Sequence, residues 1–373
     1  MLRVLVCGGG VAASEALLRL RKLAGDEVSL TVLAPDDDLV YRPTAVREPF
    51  AGGGARRYPF AAIAEAAGAD VVKDSLASVD LERSIVRTGQ DTELPFDALV
   101  VAVGARFSAP FRHARVFTDS SAAMLQGLVQ DIEEGYSHSV AFVVPDGPSW
   151  PLPIYELALM TRERANSMGA DDLEIILAVP EPKPLVAFGD EVSAEVTRLL
   201  DEARVTLYSS TRPSVPEAQQ LLLQPPGVLL RPERIVALPH MSGPDVHGLP
   251  GGTLGGYIPI DNTCAVPGTD GRVFAAGDGA DFPIKHGGIG AQEADVAASH
   301  IARLAGVDVE PEIFRPHIAG TLLTGGKPLY VEARVVGNRG FQGQIHETPP
   351  WPEDAKIVAV ELAPFLETLA PSS

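Results

Sequence analysis

Leu2-Arg3-Val4-Leu5-Val6-Cys7-Gly8-Gly9-Gly10-Val11-Ala12-Ala13 is the part of the sequence on which the fold depends. The apolar run before the glycines has the length and composition of a buried strand. A helical pattern of apolar residues covers 14–23, and a second strand pattern covers 28–33. The order of strand, Gly-rich turn, helix and strand within about 30 residues predicts a dinucleotide-binding βαβ unit.

The spacing of small residues supports this prediction, because each has a separate physical task. Gly8 allows the tight turn, Gly10 lets the backbone approach a pyrophosphate, and Ala13 permits close contact between helix and strand. Val11 and Ala12 stand where the helix begins, at the positive end of the helix dipole, which binds phosphate groups. We therefore expect all five residues to belong to a nucleotide site.

The acidic residue that usually ends the second strand of such a unit, where it binds the ribose hydroxyls, is missing. Ala34 or Pro35 stands at that place, and three aspartates follow at 36–38. Two interpretations remain open. Either one of these aspartates substitutes for the missing acid, or all three form a solvated acidic turn.

The alternation of strands and helices continues and predicts the domain organisation. Strand patterns cover 97–104, 140–144, 173–179, 204–208, 273–276 and 329–336, and helical patterns cover 154–165, 192–203 and 288–304. The predicted fold class is α/β, with two Rossmann-like dinucleotide-binding domains, the second inserted in the first, plus a small C-terminal α+β region. The expected boundaries are 1–108 and 245–315 for the first domain, 109–244 for the inserted domain and 316–373 for a C-terminal interface region.

Charge and hydropathy exclude several classes of partner. The net charge is -19, whereas a protein that binds nucleic-acid phosphates needs a basic face. The same charge opposes electrostatic docking on an anionic membrane. No apolar run reaches the ~18 residues of a membrane-spanning helix. The N-terminus lacks the pattern of a secretory signal, so we expect a cytoplasmic location.

The two cysteines, Cys7 and Cys264, lie far apart in the sequence and form no CxxC pair. They predict neither a disulfide framework nor a local redox pair, and two buried small residues are the simpler interpretation. No metal site is expected, because metal-ligand spacing is absent from the histidines at 240, 247, 317 and 346.

Four further segments carry a family resemblance. They are Val40-Tyr41-Arg42-Pro43 with Glu48-Pro49-Phe50 after it, Phe96-Asp97-Ala98-Leu99-Val100-Val101-Ala102-Val103-Gly104-Ala105, Val273-Phe274-Ala275-Ala276-Gly277-Asp278, and Phe282-Pro283-Ile284-Lys285-His286-Gly287-Gly288-Ile289-Gly290-Ala291-Gln292. With the N-terminal turn, they make the chain resemble the FAD-dependent pyridine nucleotide-disulfide oxidoreductase superfamily. The closest likeness is to its branch of type II NADH dehydrogenases and sulfide:quinone oxidoreductases.

The resemblance implies FAD as the cofactor and extends the set of binding residues. In the family, the stretch that matches Arg42 and Pro43 lies near the adenosine and the flavin. The segment Ala102-Val103-Gly104 matches the end of a family strand that reads Ala-Thr-Gly, with Val103 in place of the threonine.

The resemblance also assigns the second FAD motif. The family aspartate that matches Asp278, directly after Gly277, binds the ribityl chain. The helix that begins at Gly288 and Ile289 would face the pyrimidine carbonyl of the flavin, where helix N–H groups stabilise the negative charge of a reduced flavin.

The inserted domain departs from the family pattern. A family NADH site needs three glycines after its first strand, but Ser149, Pro151 and Ile154 stand at those places. Proline removes N–H donors that a pyrophosphate uses, and isoleucine crowds the contact between helix and strand. We therefore expect a degenerate NAD(P) site. The family's catalytic cysteines have no match either, so sulfide oxidation and disulfide reduction are not expected.

Two residues are candidates for catalysis. Glu156 keeps the place of a family glutamate near the flavin, so we expect it to accept a proton or act as a gate near N5; a helix-surface glutamate is the alternative. Lys285, next to the start of a predicted helix, would neutralise flavin charge or donate a proton. Trp150 and Tyr155 either cover the isoalloxazine face or belong to the core.

The C-terminal stretch 356–369 reads as a helix with one lysine and several acidic residues. An interfacial membrane helix usually has a cationic polar face. We therefore expect this helix to pack on the protein or across a homodimer, and membrane contact is unlikely on the same ground.

The functional expectation is an FAD-dependent oxidoreductase. Its flavin would pass electrons from a small-molecule donor to a quinone or another small-molecule acceptor. Two alternatives remain at this point: a type II NADH:quinone oxidoreductase with an atypical nucleotide loop, and a non-catalytic binding protein that FAD stabilises.

Overall fold

The computed structural model describes residues 1–50, 52–118, 121–251, 255–335, 340–351 and 356–369. Its α-helices are α1 (Val11–Ala24), α2 (Phe60–Ala67), α3 (Ala122–Glu133), α4 (Leu152–Ser167), α5 (Asp190–Glu202), α6 (Gly287–Leu304) and α7 (Leu362–Thr368). Short 3₁₀ helices cover Gly25–Glu27, Arg42–Phe50 and Val186–Phe188.

The strands of the described residues alternate with these helices. They are β1 (Leu2–Cys7), β2 (Val28–Leu33), β3 (Asp38–Tyr41), β4 (Arg56–Pro59), β5 (Ala69–Val72), β6 (Leu76–Asp80), β7 (Ile85–Thr88), β8 (Glu93–Pro95), β9 (Ala98–Val101), β10 (Arg106–Ser108), β11 (Arg115–Val116), β12 (Ser139–Val143), β13 (Glu174–Ala178), β14 (Val205–Tyr208), β15 (Arg212–Ser214), β16 (Leu221–Gln224), β17 (Val228–Leu230), β18 (Arg234–Ala237), β19 (His240–Ser242), β20 (Val273–Ala275), β21 (His317–Leu322), β22 (Leu329–Val335) and β23 (Phe341–His346).

The first parallel sheet has the strand order β20-β9-β1-β2-β5. Its central strand β1 lies between β2 and β9, so the chain leaves β1 on one side and later returns on the other. The carboxyl end of β1 is therefore a topological switch point, the place where open α/β sheets bind ligands. Strand β20 joins this sheet only after the chain has built a second one.

The second parallel sheet has the order β11-β18-β12-β13-β14. A three-stranded antiparallel sheet, β21-β22-β23, follows near the C-terminus. The predicted fold class is confirmed: two parallel sheets with helices, one placed within the sequence of the other, and a small C-terminal α+β part.

The apolar core follows these layers. Helices α1 and α6 pack against each other through alanines that are fully buried, such as Ala13, Ala16, Ala291 and Ala294. A second cluster fills the inserted part and also contains Ile318, Leu322 and Val331 of the antiparallel sheet. The small side chains let the two helix backbones approach closely, which fixes the β1–α1 turn relative to the start of α6.

The C-terminal prediction was wrong in extent. The pattern at 356–369 predicted one helix, but α7 covers only Leu362–Thr368. Pro364 is the third residue of α7, where its missing N–H has no intrahelical partner in any case. A helix that began at 356 would have placed Pro364 in its interior, where the ring clashes with the preceding turn. The predicted strand at 329–336 ends at Val335, and Val336 lies outside the described residues.

The helices of the described residues include none that combines the length and the apolarity needed to cross a membrane.

Candidate functional site

The turn between β1 and α1 is fixed by close backbone contacts. Gly8 has a φ of +134°, and a Cβ there would overlap the carbonyl oxygen of Ala102, so only glycine fits. The Gly8 N–H donates to the Leu33 carbonyl at 2.8 Å, and the Ala102 N–H donates to the Cys7 carbonyl at 2.7 Å. A Cβ on Gly10, by contrast, would meet no atom within 4 Å. The turn is therefore tight on the sheet side and open around Gly10.

The N-terminus of α1 offers unsatisfied backbone donors. Gly10 is its N-cap, no side chain caps the helix, and its first turn contains no acidic residue. The N–H groups of the first turn, including those of Val11 and Ala12, lack intrahelical partners by construction. An anion placed there would meet both these donors and the positive end of the helix dipole.

A cleft of about 580 Å³ opens in front of this turn, within the range of about 300–1,000 Å³ that is typical of ligand sites. Eleven of the predicted cofactor-binding residues, drawn from four distant parts of the sequence, line it: Gly8, Gly10, Val11, Ala12, Arg42, Pro43, Ala102, Val103, Gly104, Gly277 and Asp278. The fold thus brings together segments separated by as much as two hundred residues.

The remaining three predicted residues lie behind the lining. Ala13 is fully buried in the core shared by α1 and the first sheet. The Gly288 N–H donates to His286 Nδ1 at 3.2 Å, and the Ile289 N–H donates to the His286 carbonyl at 3.0 Å. These two donors of α6 are therefore engaged within the chain, whereas neighbouring Gly287 and Gly290 line the cleft.

His286 also explains how α6 begins. It is the N-cap of α6, and its ring lies 4.6 Å from the Trp150 ring, centroid to centroid. Burial and the charge of Lys356 lower the pKa of His286 to about 4. A neutral imidazole can accept the Gly288 N–H through Nδ1, so the lowered pKa and the capping hydrogen bond agree.

Charges of both signs converge on Asp278. Burial raises the pKa of its carboxyl group, while the positive charges of Lys285 and Arg42 oppose the rise. Lys285 is buried, its Nζ donates to the Ala280 carbonyl at 2.5 Å, and it lies 3.9 Å from the centroid of the Tyr257 ring. The lysine is thus held behind Asp278 as a fixed counter-charge.

A second cavity of about 360 Å³ adjoins the cleft. Arg42, Pro43, Asp278 and His286 line both spaces, so the two are continuous. The walls of the second cavity are mainly apolar and aromatic, with Phe107, Phe117, Trp150, Leu152, Leu238 and Met241 among them. A flat apolar ligand would fit such walls.

A buried ion pair also lines the second cavity. Glu156 on α4 is 1% exposed, and its Oε1 lies 2.6 Å from Lys356 Nζ and accepts the Leu323 N–H at 2.9 Å. Burial raises the pKa of Glu156 and lowers the pKa of Lys356, although each partner's charge opposes the shift of the other. Because the two pKa values move toward each other, a proton can pass between oxygen and nitrogen at little cost.

This geometry decides between several sequence interpretations. The helix-surface alternative for Glu156 is wrong, since the side chain is buried against the cavity. Trp150 lines the cavity and packs against Phe188, with 5.7 Å between the ring centroids. Tyr155 is a core residue, fully buried, whose hydroxyl bonds to Glu181 Oε1 at 2.5 Å.

The inserted domain lacks the open turn that the first domain has. Pro151 is the N-cap of α4, Pro153 lies in its first turn, and Ile154 is fully buried. Two prolines remove two N–H groups at the place where a diphosphate would need them. The three substitutions seen in the sequence therefore act on a real helix start.

Glu181 closes the same site from the next strand. It lies shortly after β13, close to where an acidic residue binds ribose in such domains. Its carboxylate instead accepts the Tyr155 hydroxyl and the N–H groups of Leu185 at 3.0 Å and Val186 at 3.3 Å. The acid is thus satisfied from within the chain.

The aspartates after β2 divide between the two interpretations offered above. Asp36 and Asp38 line the cleft, whereas Asp37 pairs with Lys73 on the surface at 2.6 Å. Cys7 and Cys264 are buried, and burial raises the pKa of both thiols, as expected for inert core residues. Among the described residues, no group of three or more metal-binding side chains could hold an ion.

Sequence reasoning missed Lys356, Glu181 and Glu293. A lone lysine inside the apolar run Lys356-Ile357-Val358-Ala359-Val360 was a usable signal, because a lysine among apolar residues is often buried with a partner. Nothing in the local sequence pairs Glu181 with Tyr155, which lies twenty-six residues earlier.

Comparison with known proteins rests on structure, because no protein-family model and no curated protein sequence matches this chain. The sulfide:quinone oxidoreductase of Aquifex aeolicus superposes with a TM-score of 0.81 at 16% identity, over 93% of this chain and 87% of the other. The ferredoxin reductase of the CYP199A2 system of Rhodopseudomonas palustris gives 0.68 at 19%, over 90% and 83%.

A third solved structure has the same arrangement. The NAD-dependent persulfide reductase of A. fulgidus superposes with a TM-score of 0.62 at 20% identity, over 91% of this chain and 65% of the other. Identities this low establish shared architecture and leave chemistry open. The resemblance seen in the sequence is thus confirmed at the level of the fold: the chain has the two-Rossmann-domain fold of these pyridine nucleotide-disulfide oxidoreductases.

Proposed function

We propose that the protein is an FAD-dependent oxidoreductase that takes electrons from a small-molecule donor other than NAD(P)H and passes them to a quinone or another small-molecule acceptor. The observation that carries this proposal is the continuous cleft and cavity. One part offers an open helix N-terminus and a carboxylate, and the other is an apolar chamber that ends in a buried ion pair.

The residues of the cleft fit the two ends of FAD. The open space around Gly10 and the uncapped start of α1 suit the diphosphate. Asp278 lines the same cleft and can accept hydrogen bonds from ribityl hydroxyls, the role that the family resemblance assigns to it. Lys285 behind it supplies the counter-charge.

When bound, FAD supplies the electron-transfer chemistry, and the chain supplies orientation and protons. The apolar walls of the second cavity exclude water and hold a flat substrate. Glu156 and Lys356 hold a proton at the cavity wall, which either residue can give or take, because burial brings their pKa values together. This pairing supports the proposed catalytic role of Glu156. Lys285 acts on charge rather than on protons in this proposal.

The inserted domain supports a donor other than NAD(P)H. Its helix start carries Pro151 and Pro153, and the carboxylate of Glu181 is occupied by donors from within the chain. A nicotinamide dinucleotide would have to break these hydrogen bonds and still lack N–H donors for its diphosphate. These features argue against the type II NADH:quinone alternative.

The test is anaerobic reduction of the purified, FAD-reconstituted protein. Candidate donors are mixed with it in a stopped-flow instrument, and the loss of flavin absorbance is followed. We expect NADH and NADPH to leave the flavin oxidised over seconds, and at least one other small donor to bleach it. A soluble quinone analogue should then restore the absorbance.

Two outcomes would contradict the proposal. Bleaching by NADH within seconds would mean that the inserted domain keeps a working nucleotide site. Flavin that stays oxidised with every donor would favour a non-catalytic role, in which FAD only stabilises a binding surface.

A further inference from the structure

Glu293 is a buried acid directly behind the turn that carries Asp278. It lies on α6 and is 1% exposed, and its Oε2 accepts the Gly277 N–H at 2.6 Å. The α6 backbone is close to this turn, because a Cβ on Gly290 would lie 2.8 Å from Gly277 Cα. The carboxyl group of Glu293 therefore holds the backbone from which Asp278 enters the cleft.

The other oxygen of this carboxyl group has no partner. Glu293 Oε1 is buried and forms no hydrogen bond to any described residue. An ionised carboxylate with one unsatisfied oxygen is costly in a buried place, whereas the protonated form carries no charge to desolvate. Burial accordingly raises the pKa of Glu293 to about 8, against the opposing effects of the Gly277 N–H and Lys285.

The charged and titratable groups that face Glu293 come from three surrounding segments. Asp278, on the turn after β20, repels a negative charge on Glu293, and Lys285, on the segment before α6, attracts one. The thiol of Cys264, on the loop before β20, is buried and has a raised pKa, so it adds no charge. Lys285 is shared with Asp278 and Asp281, so it compensates Glu293 only in part.

We propose that Glu293 is a positioning residue that holds the Gly277–Asp278 turn in its protonated form and takes up a proton when FAD binds above the pKa of the free protein. The proposal rests on the FAD site proposed above. FAD brings a diphosphate into the cleft beside Asp278, and added negative charge favours the neutral form of a nearby acid.

The pH dependence follows from this linkage. Below about pH 8, Glu293 is protonated with and without FAD, so affinity does not depend on this group. At higher pH the free protein loses the proton while the complex keeps it. Binding must then restore the proton, so affinity falls by up to about tenfold per pH unit until the pKa of the complex is reached.

The experiment compares wild-type apoprotein with Glu293→Gln and with Asp295→Asn. Glutamine keeps an oxygen for the Gly277 N–H and does not titrate. Asp295 is a second buried acid on α6, whose pKa is also raised, and is the matched control because its contacts are with Glu15 and Arg19. The dissociation constant of FAD is measured by fluorescence from pH 6.5 to 9.5, and proton uptake by calorimetry in buffers of different ionisation enthalpy.

We expect equal FAD affinity of wild type and Glu293→Gln at pH 6.5. At pH 9.5 the wild-type affinity should be about tenfold weaker, with proton uptake, while Glu293→Gln stays flat and Asp295→Asn follows wild type. Parallel pH curves for wild type and Glu293→Gln, or wild-type binding at pH 9 without proton uptake, would overturn the proposal. Wild-type apoprotein that binds no FAD at any pH would instead overturn the proposed function, and this proposal with it.

Discussion

At the scale of single residues, Glu156 combines burial, a cation and a place in the cavity wall. Glu156→Gln would keep the hydrogen bond from Leu323 but leave Lys356 buried without its anion, which costs about 3 kcal/mol or more of the free energy of unfolding. If the pair handles protons, turnover with a quinone analogue should fall about 10²-fold or more. Steady-state kinetics and urea unfolding measure the two effects.

The matched control for this variant is Glu163→Gln, an exposed residue on the same helix. It should change neither stability nor turnover. Wild-type turnover in a Glu156→Gln protein that is less stable would assign the pair a structural role only.

Two neighbouring glycines should respond differently to the same added methyl group. Gly8→Ala forces an alanine to a φ of +134° and against the Ala102 carbonyl, so we expect a loss of more than about 2 kcal/mol of stability. Gly10→Ala has a common backbone conformation and open space, so the apoprotein should fold normally. Its methyl group would instead occupy the space proposed for the diphosphate.

Urea unfolding of the two apoproteins and FAD titration separate these effects. Gly10→Ala should unfold at the wild-type midpoint and bind FAD at least about tenfold more weakly. Undiminished FAD affinity in Gly10→Ala would place the diphosphate elsewhere.

At the scale of elements, three helices meet at a pair of buried acids. The carboxylate of Glu15 on α1 accepts the N–H groups of Glu361 at 2.8 Å and Leu362 at 2.6 Å, where α7 begins. Asp295 on α6 lies beside Glu15, and its Oδ1 has no hydrogen-bond partner among the described residues. Burial, and then the charge of Glu15, raise the pKa of Asp295 to about 9.

The raised pKa makes stability depend on pH. Between about pH 4 and 9 the folded protein keeps a proton on Asp295 that the unfolded chain has lost, so this group lowers stability as pH rises. Asp295→Asn removes the effect. The free energy of unfolding of the variant should therefore gain on wild type by about 1.4 kcal/mol per pH unit from pH 6 to 9. Asp308→Asn, on the surface, is the control, and equal slopes for Asp295→Asn and wild type would contradict this reading.

The sequence predicted elements well where a pattern was local. The β1–α1 turn and the helices α4, α5 and α6 lie within a few residues of their predicted positions, because apolar periodicity and glycines act over short distances. The C-terminal helix was overextended, since 357–361 is apolar for another reason. Ile357 packs on Gly287, and its N–H donates to the Tyr41 hydroxyl at 2.9 Å. Such long-range contacts leave no periodic trace.

At the scale of the whole molecule, the sequence could not fix where the two sheets and the C-terminal part meet. Lys356 reaches Glu156 across two hundred residues, and Leu323 contributes its N–H to the same carboxylate. The cavity wall thus exists only in the assembled fold. Residues that line the cleft could be found from motifs, whereas those of the adjoining cavity required the structure.

The two Rossmann-like domains of one chain should therefore differ in what they bind. Ligand that binds only the folded state stabilises it, by about 2.7 kcal/mol when its concentration is one hundred times the dissociation constant. FAD should raise the melting temperature of the apoprotein. Millimolar NADH or NADPH, added to the FAD-loaded protein, should leave it unchanged, because Pro151, Pro153 and Glu181 deny the inserted domain its donors and its ribose-binding acid. Thermal unfolding followed by circular dichroism measures both shifts, and a clear rise with either nicotinamide dinucleotide would mean that this helix start can rearrange to bind one.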